Sequence, residues 1–324
     1  MKPEFEGGRK DFSVAVDCQE EFGFDCPWPV HRFSEASEHV PLVDPGFRFA
    51  PEVARPILAG FMHDRKVYLH GPHGSGKSSH IEQIAARLNW ACVRVNLDGH
   101  VTRADLVGRD MIVLREGKQV TEFIPGILVW ALERPVALIF DEFDAGRPDV
   151  MFVVQRVLET EGKLTLLDQS RVITPHPHFR MFATANTAGQ GDSSGLYAGT
   201  QSLNQAQMDR WQLVVELGYL PEDQELAILR SRVPGLEAEL GRRMVRLAAL
   251  SRSAFQQGDL SSFLSLRTLI IWAENIPLVG SVSQAFLFSF LNRCDPVERQ
   301  LLAEFYQRCF DEELLIDDNG AALY

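Results

Sequence analysis

The residues Gly71-Pro72-His73-Gly74-Ser75-Gly76-Lys77-Ser78, followed by Ser79, fit the spacing G-x-x-x-x-G-K-[ST]. Each residue type in that pattern serves the binding of a polyphosphate. Glycines tolerate positive φ, so successive backbone N–H groups can turn into one concavity that suits an anion. Lys77 would reach the β- and γ-phosphates, and the Ser78 hydroxyl would take one position on Mg²⁺. A helix starting at this point adds its positive N-terminal end. The plain alternative is a flexible glycine turn, and its flanks argue against it. Val67-Tyr68-Leu69-His70 reads as a strand before the loop, and Ile81, Ile84, Ala85 and Leu88 form a helical apolar stripe after it. The expected ligand is ATP or GTP.

A second group of chemically capable residues closes the run Val136-Ala137-Leu138-Ile139-Phe140-Asp141-Glu142. A continuous apolar run suits a parallel strand buried on both faces. Carboxylates at its C-terminal end then lie where open α/β sheets bind ligands. Asp141 would hold Mg²⁺ through its water shell, and Glu142 would orient and activate an attacking water. Phe179 to Asn186 reads as another strand, ending in an amide that could hold that water or sense the γ-phosphate. Without such company, a strand-end Asn is a turn former.

Positioning these groups requires alternating strands and helices. A helix is expected from Phe49 to Phe61, with Pro51 in its first turn. A strand follows at Ala91–Leu97, and Thr102-Arg103-Ala104-Asp105 resembles a capping box. Met111–Leu114 and Val120–Phe123 flank Glu116-Gly117-Lys118 as a hairpin, and Lys163–Leu167 with Arg171–Ile173 reads as a second. Val150, Val153, Val154, Val157 and Leu158 mark a helix started by Pro148. Gly189 to Asn204 is a glycine- and serine-rich loop, Gln205–Met208 a short helix, and Gln212–Leu217 a strand. From Pro221 the pattern turns helical, over about 222–231, 236–254, 265–274, 284–293 and 296–309. Residues 1 to about 45 show little periodicity but carry Phe12, Phe22, Phe24, Trp28 and Phe33. They read as an arm packed on the main domain, or as a docking surface for another subunit.

The bulk composition narrows the function classes. The chain of 324 residues is 45% hydrophobic and 23% charged, as in ordinary globular proteins. A net charge of −12 argues against a nucleic-acid-tracking protein, so no nucleic-acid partner is expected. Five cysteines, with no C-x-x-C pair, suit reduced thiols in a cytoplasmic protein. Cys18, Cys26 and His31 match no zinc spacing, and His176 and His178 read as turn residues. No apolar run is long enough to span a bilayer, so no membrane partner is expected.

With these residues in view, the chain resembles AAA+ ATPases of the MoxR-like, helix-2-insert group, and within it the CobS subunits of aerobic cobaltochelatase. The wording that carries the resemblance includes Phe140-Asp141-Glu142-Phe143-Asp144-Ala145-Gly146-Arg147-Pro148-Asp149 and Leu166-Leu167-Asp168-Gln169-Ser170-Arg171. It continues in Ala183-Thr184-Ala185-Asn186-Thr187, Gly195-Leu196-Tyr197, and Asn204-Gln205-Ala206-Gln207-Met208-Asp209-Arg210-Trp211. The resemblance implies a P-loop AAA+ α/β domain with a central parallel sheet, two β-hairpin inserts and a C-terminal helical lid. The implied division is an arm at 1–45, an ATPase core at 46–220 and a lid at 221–324. It matches Gly71–Ser78 to Walker A, Asp141 and Glu142 to Walker B, and Asn186 to sensor 1. Arg210 falls at an arginine finger acting on a neighbour's nucleotide, and Arg267 at sensor 2, where Leu266 replaces the family's usual proline. Implied cofactors are ATP and Mg²⁺. Implied partners are a homo-oligomeric ring, hexameric in such relatives, a CobT-like subunit with a VWA domain, and a CobN-like large chelatase subunit. The implied task is Co²⁺ insertion into hydrogenobyrinic acid a,c-diamide in aerobic cobalamin biosynthesis. Two other readings fit the same residues: a MoxR-type chaperone that activates another metalloenzyme through a VWA-domain partner, and a nucleotide-gated binding module with negligible turnover.

Overall fold

In a computed structural model, which describes residues 11–191 and 199–314, five parallel strands form the centre of the molecule. They are β1 (Val67–His70), β2 (Ala91–Asn96), β3 (Val136–Asp141), β4 (Arg180–Ala185) and β5 (Leu213–Glu216). Their spatial order is β5-β1-β4-β3-β2. Every residue of β3 and β4 is buried, as a strand covered on both faces must be. The register sets Ala185 against His70 and Ala183 against Phe140. The carboxyl ends of β1, β4 and β3 therefore lie side by side, which is where an open parallel sheet offers a crevice.

Helices cover both faces. They include α1 (Pro51–His63), α2 (Lys77–Arg87), α3 (Ile127–Leu132) and α4 (Pro148–Leu158). Pro51 and Pro148 sit in the first turns of α1 and α4, where a missing N–H costs little. One face of the sheet packs Leu138, Phe140, Met181 and Ala183 against α3 and α4. The other packs Leu69, Ile139 and Phe182 against α1 and α2. Each fully buried aliphatic side chain contributes roughly 1.5–3 kcal/mol to folding.

The N-terminal segment joins that second cluster. Val14–Val16 pairs antiparallel with Val30–Arg32, and between them a short helix, Cys18–Phe22, is capped by Asp17 and ended by Gly23 at φ 81°. The sequence pattern foresees no regular structure here, because pieces of three to five residues are too short to show a period. Phe22, Phe24, Val30 and Phe33 are buried with Ile57 and Ile81, so these aromatics serve the interior of the fold.

Both hairpins form, and the first is longer than its sequence signal. Gly108–Arg115 pairs with Lys118–Pro125 across Glu116 and Gly117, which adopt φ 51° and 78°. Two consecutive positive φ values match a two-residue hairpin turn that follows the strand twist. The second pairs Leu164–Leu166 with Arg171–Ile173. The expected capping box is present: Thr102 and Asp105 exchange hydrogen bonds at the start of Arg103–Val107. Of the glycine- and serine-rich loop, residues 192–198 lie outside the described residues, and so does the Gly195-Leu196-Tyr197 stretch.

The C-terminal part is a helical domain with its own core. Its helices are α5 (Glu222–Arg232), α6 (Ala238–Gln257), α7 (Leu266–Val279), α8 (Val282–Ser289) and α9 (Pro296–Phe310). Trp272, Phe286, Tyr306 and Phe310 pack at its centre, with the last two rings stacked 4.4 Å apart. The apolar pattern ends α7 near residue 274, whereas it continues to Val279. Pro277 lies in the last turn, and the αL residue Gly280 closes it by donating to Ile276 O. Among the described residues, no helix is long and apolar enough to cross a membrane.

Candidate functional site

A cavity of about 700 Å³ opens at the carboxyl ends of β1, β4 and β3, between the sheet and the helical domain. The loop from β1 into α2 forms its floor. Gly71 adopts φ +148°, and a Cβ there would lie 2.0 Å from the Leu217 carbonyl oxygen. Gly74, at φ +77°, meets the other domain: a Cβ would stand 2.9 Å from Ser265 Cβ. Glycine at these positions lets the loop pass under β5's exit and lets the helical domain close on it.

Lys77 is buried at the start of α2. Its Nζ donates to Gly71 O at 2.8 Å, Pro72 O at 3.0 Å and Asn186 Oδ1 at 3.1 Å. Burial pulls its pKa down to about 8, against the opposing pull of Asp144, Asp141 and Glu142. Its charge is thus held by weak carbonyl acceptors that an anion would displace. Burial, with Lys77 and Arg267 nearby, also lowers the pKa of His73.

The Asp141 carboxylate is nearly buried and fully engaged. Oδ1 accepts from Ser78 Oγ at 2.6 Å and from Thr184 Oγ1 at 2.7 Å, and Oδ2 accepts from Arg94 Nε at 2.6 Å. Glu142, one residue on, is exposed to the cavity at φ 55° and ψ 43°. That left-handed conformation costs a non-glycine residue roughly 1–2 kcal/mol. It turns the two adjacent carboxylates to different tasks, one inward and one toward the cavity.

Asn186 leaves the end of β4 under the control of Asp144. The Asp144 side chain is fully buried, and its Oδ2 accepts from Asn186 N at 3.1 Å, Thr187 N at 2.9 Å and Thr187 Oγ1 at 2.8 Å. Strands β3 and β4 are thereby tied at the point where Asn186 meets Lys77.

The helical domain forms the roof. Arg267 lines the cavity at the start of α7, with Ser265 as N-cap accepting from Thr268 N. Leu266 occupies the first helical position, where proline would forfeit only an unpaired N–H. Its presence therefore leaves the start of the helix intact. Glu225 and Arg252, both buried in the cavity wall, form a two-pronged ion pair at 2.8 and 2.5 Å that joins α5 to α6. Asp44 and Arg232 pair across the mouth, joining the N-terminal segment to α5. Phe47, Tyr219, Ile228 and Ile271 supply an apolar end suited to a nucleobase.

The sequence-derived residues Gly74–Ser79, Asp141, Glu142, Asn186 and Arg267 thus share one cavity. Arg210 does not line it. Its Nε and Nη2 reach Glu159 Oε1 on the residue after α4, at 2.8 and 2.7 Å, and its Nη1 donates to Ala206 O. Among the residues that escape the sequence reading, Arg94, Asp144 and Thr184 hold the polar junction around Asp141 and Asn186. Arg94 leaves a signal, a lone cation inside the apolar strand Ala91–Asn96. Asp144 and Thr184 stand beside recognised residues but match no chemical spacing of their own.

Comparison with known proteins follows the same lines. Residues 66–203 match the family model of the AAA domain (dynein-related subfamily), and residues 14–40 match that of the cobaltochelatase CobS subunit N terminal. The aerobic cobaltochelatase subunit CobS of Sinorhizobium sp. is 58% identical over 93% of this chain and 92% of its own. Midasin of Dictyostelium discoideum is 27% identical over 87% of this chain, which spans 4% of that much longer protein. Among solved structures, the Thermotoga maritima RuvB branch-migration motor superposes with TM-score 0.50 at 14% identity, covering 87% of this chain and 75% of that one. At that identity the likeness concerns the fold alone. The loop, sheet order and helical domain are those of a P-loop AAA+ ATPase, and the 58% identity over 93% of the chain makes it a member of the CobS family of aerobic cobaltochelatase subunits.

Proposed function

We propose that the chain is a Mg²⁺-dependent ATPase whose hydrolysis drives Co²⁺ insertion into hydrogenobyrinic acid a,c-diamide in the cytoplasm. The observation that carries the ATPase reading is the junction of loop, β3 and β4: Lys77 on Asn186, and Ser78 on Asp141. A hydroxyl and a carboxylate are oxygen donors of the kind a hard cation prefers, so Ser78 and Asp141 fit Mg²⁺. When bound, Mg²⁺ neutralises charge across the β- and γ-phosphates.

The other steps fall to the chain's own residues. The loop Gly71–Ser79 cradles the phosphates with the backbone N–H groups of His73–Ser79, and Lys77 exchanges two carbonyl acceptors for phosphate oxygens. Glu142 takes the proton of the attacking water, and Asn186, held by Asp144, aligns it. Arg267 brings the helical domain to the γ-phosphate. Arg210, directed away from its own cavity, serves the site of the next protomer in a ring, for which a hexamer is the expected size.

Cobalt and the corrin are substrates of the complex. The reading assigns the corrin to a CobN-like subunit and the coupling to a CobT-like VWA-domain subunit. Among the described residues no group of three or more His, Cys, Asp or Glu side chains could hold a metal ion. The test is reconstitution of cobalt insertion from the three purified proteins with ATP. Insertion that stops when Glu142→Gln replaces the native chain supports the reading. Insertion at the native rate with that variant contradicts it. ATP turnover stimulated by the VWA partner, with no insertion into the corrin, would favour the chaperone reading instead.

A further inference from the structure

We propose that Arg94 is a built-in counter-cation for Asp141 that competes with Mg²⁺ and yields the carboxylate by shifting onto Glu82. The inference deepens the Mg²⁺-ATPase reading and rests on it. Asp141 has its carboxylate almost wholly out of water, and a buried charge with no partner is strongly destabilising. Its Oδ1 is taken by two neutral hydroxyls, those of Ser78 and Thr184, so the charge is balanced at Oδ2 by Arg94 Nε at 2.6 Å. A guanidinium keeps its charge at every working pH, so Arg94 does not itself switch off with pH.

The same guanidinium holds a second carboxylate. Arg94 Nη1 lies 3.2 Å from Glu82 Oε2 on α2, and both residues line the nucleotide cavity. The two carboxylates differ in burial: the Asp141 side chain is 10% exposed and that of Glu82 28%. Arg94 itself is 46% exposed, so its head group has solvent on one side and room to move. A dication arriving at Ser78 and Asp141 repels the guanidinium, and Glu82 offers it the nearest alternative anion. The ion pair is therefore a two-position device: Arg94 shared between Asp141 and Glu82 until a metal arrives, and held by Glu82 alone once the metal is loaded.

This arrangement makes opposite predictions for its two ends, which a merely structural ion-pair network does not. Binding of a fluorescent N-methylanthraniloyl ADP to the purified protein is measured over a series of Mg²⁺ concentrations, and the half-saturating Mg²⁺ is read. Arg94→Gln removes the competitor, so half-saturation falls roughly three- to tenfold. Glu82→Gln removes the alternative seat, so half-saturation rises by roughly two- to fivefold. Metal-free Arg94→Gln also melts below the native protein, and saturating Mg²⁺ with ADP narrows the gap. Unchanged half-saturation in Arg94→Gln, or a shift of both variants in the same direction, overturns the proposal. Should Arg94→Gln fail to fold, Glu82→Gln alone decides: no rise overturns it. A native chain whose nucleotide affinity ignores Mg²⁺ removes the underlying ATPase reading, and this proposal with it.

Discussion

The floor of the cleft and the shoulder beside α4 treat their cations in opposite ways. In the floor, Lys77 rests on the carbonyls of its own loop and on Asn186, and Arg94 rests on Asp141. Both line the cavity that a nucleotide would enter. On the shoulder, Arg210 clings to Glu159 and to Ala206 O, outside that cavity. The floor can bind a polyphosphate within one chain. The shoulder holds a guanidinium outside its own cleft, the arrangement expected if, as proposed, catalysis is completed across a subunit boundary.

The contrast is broken most sharply by removing one cation from each region. Arg210→Ala should lower steady-state hydrolysis by the assembled protein by ~10³–10⁵-fold while leaving ADP affinity nearly intact. An equal loss of affinity would place Arg210 in the floor instead. Next in size, Glu142→Gln should retain ATP yet slow turnover by ~10²–10⁴-fold, measured in single-turnover experiments. Normal turnover would remove Glu142 from the chemistry.

A smaller effect separates the two glycines that shape the floor. Gly71→Ala meets the Leu217 backbone oxygen at 2.0 Å, and backbone cannot step aside. Gly74→Ala meets the Ser265 side chain at 2.9 Å, where the helical domain can draw back. Denaturant unfolding should show a loss of about 3 kcal/mol for the first and about 1–2 kcal/mol for the second. Gly74→Ala should in addition weaken nucleotide binding, because the roof no longer seats on the loop. Equal unfolding losses would mean that the helical domain is not free to move.

The smallest effect is a proton. Burial sets the Lys77 pKa at about 8, and phosphate would raise it on binding. Below pH 8 the ammonium is already charged and little is taken up. Through pH 8 to 9 the neutral amine must be protonated to meet the phosphate, so uptake approaches one proton and affinity declines. Calorimetry at pH 8 in buffers of different ionisation heat should report uptake of about half a proton. No buffer dependence would mean that Lys77 is fully charged before binding.

What the sequence disclosed follows the range over which each signal acts. The phosphate loop, the Val136–Asp141 strand and the hairpins are local patterns, and local patterns were legible: Glu116-Gly117 announced its turn, and Thr102-Asp105 its cap. Asn186 and Arg267 acquired roles only through company, because a strand-end amide or a helical arginine has no spacing of its own. Arg94 stands out only as a lone cation in an apolar strand, and Asp144 and Thr184 carry no signal of their own, for a different reason. Their partners lie 42 to 47 residues away in the chain, on strands whose neighbours only the sheet order reveals. The N-terminal aromatics leave open an arm packed on the main domain or a docking surface, and only the packing of Phe22, Phe24 and Phe33 shows that they join the interior.

The division of one reaction between two chains is tested most directly by mixing inactive protomers. Arg210→Ala subunits keep Glu142, and Glu142→Gln subunits keep Arg210, so a mixed ring contains interfaces at which an intact cleft faces an intact Arg210. Hydrolysis should return in the mixture, rising with the statistical share of such interfaces, while each variant alone stays inactive. Mixed rings verified by mass measurement that remain as inactive as either parent would contradict the account.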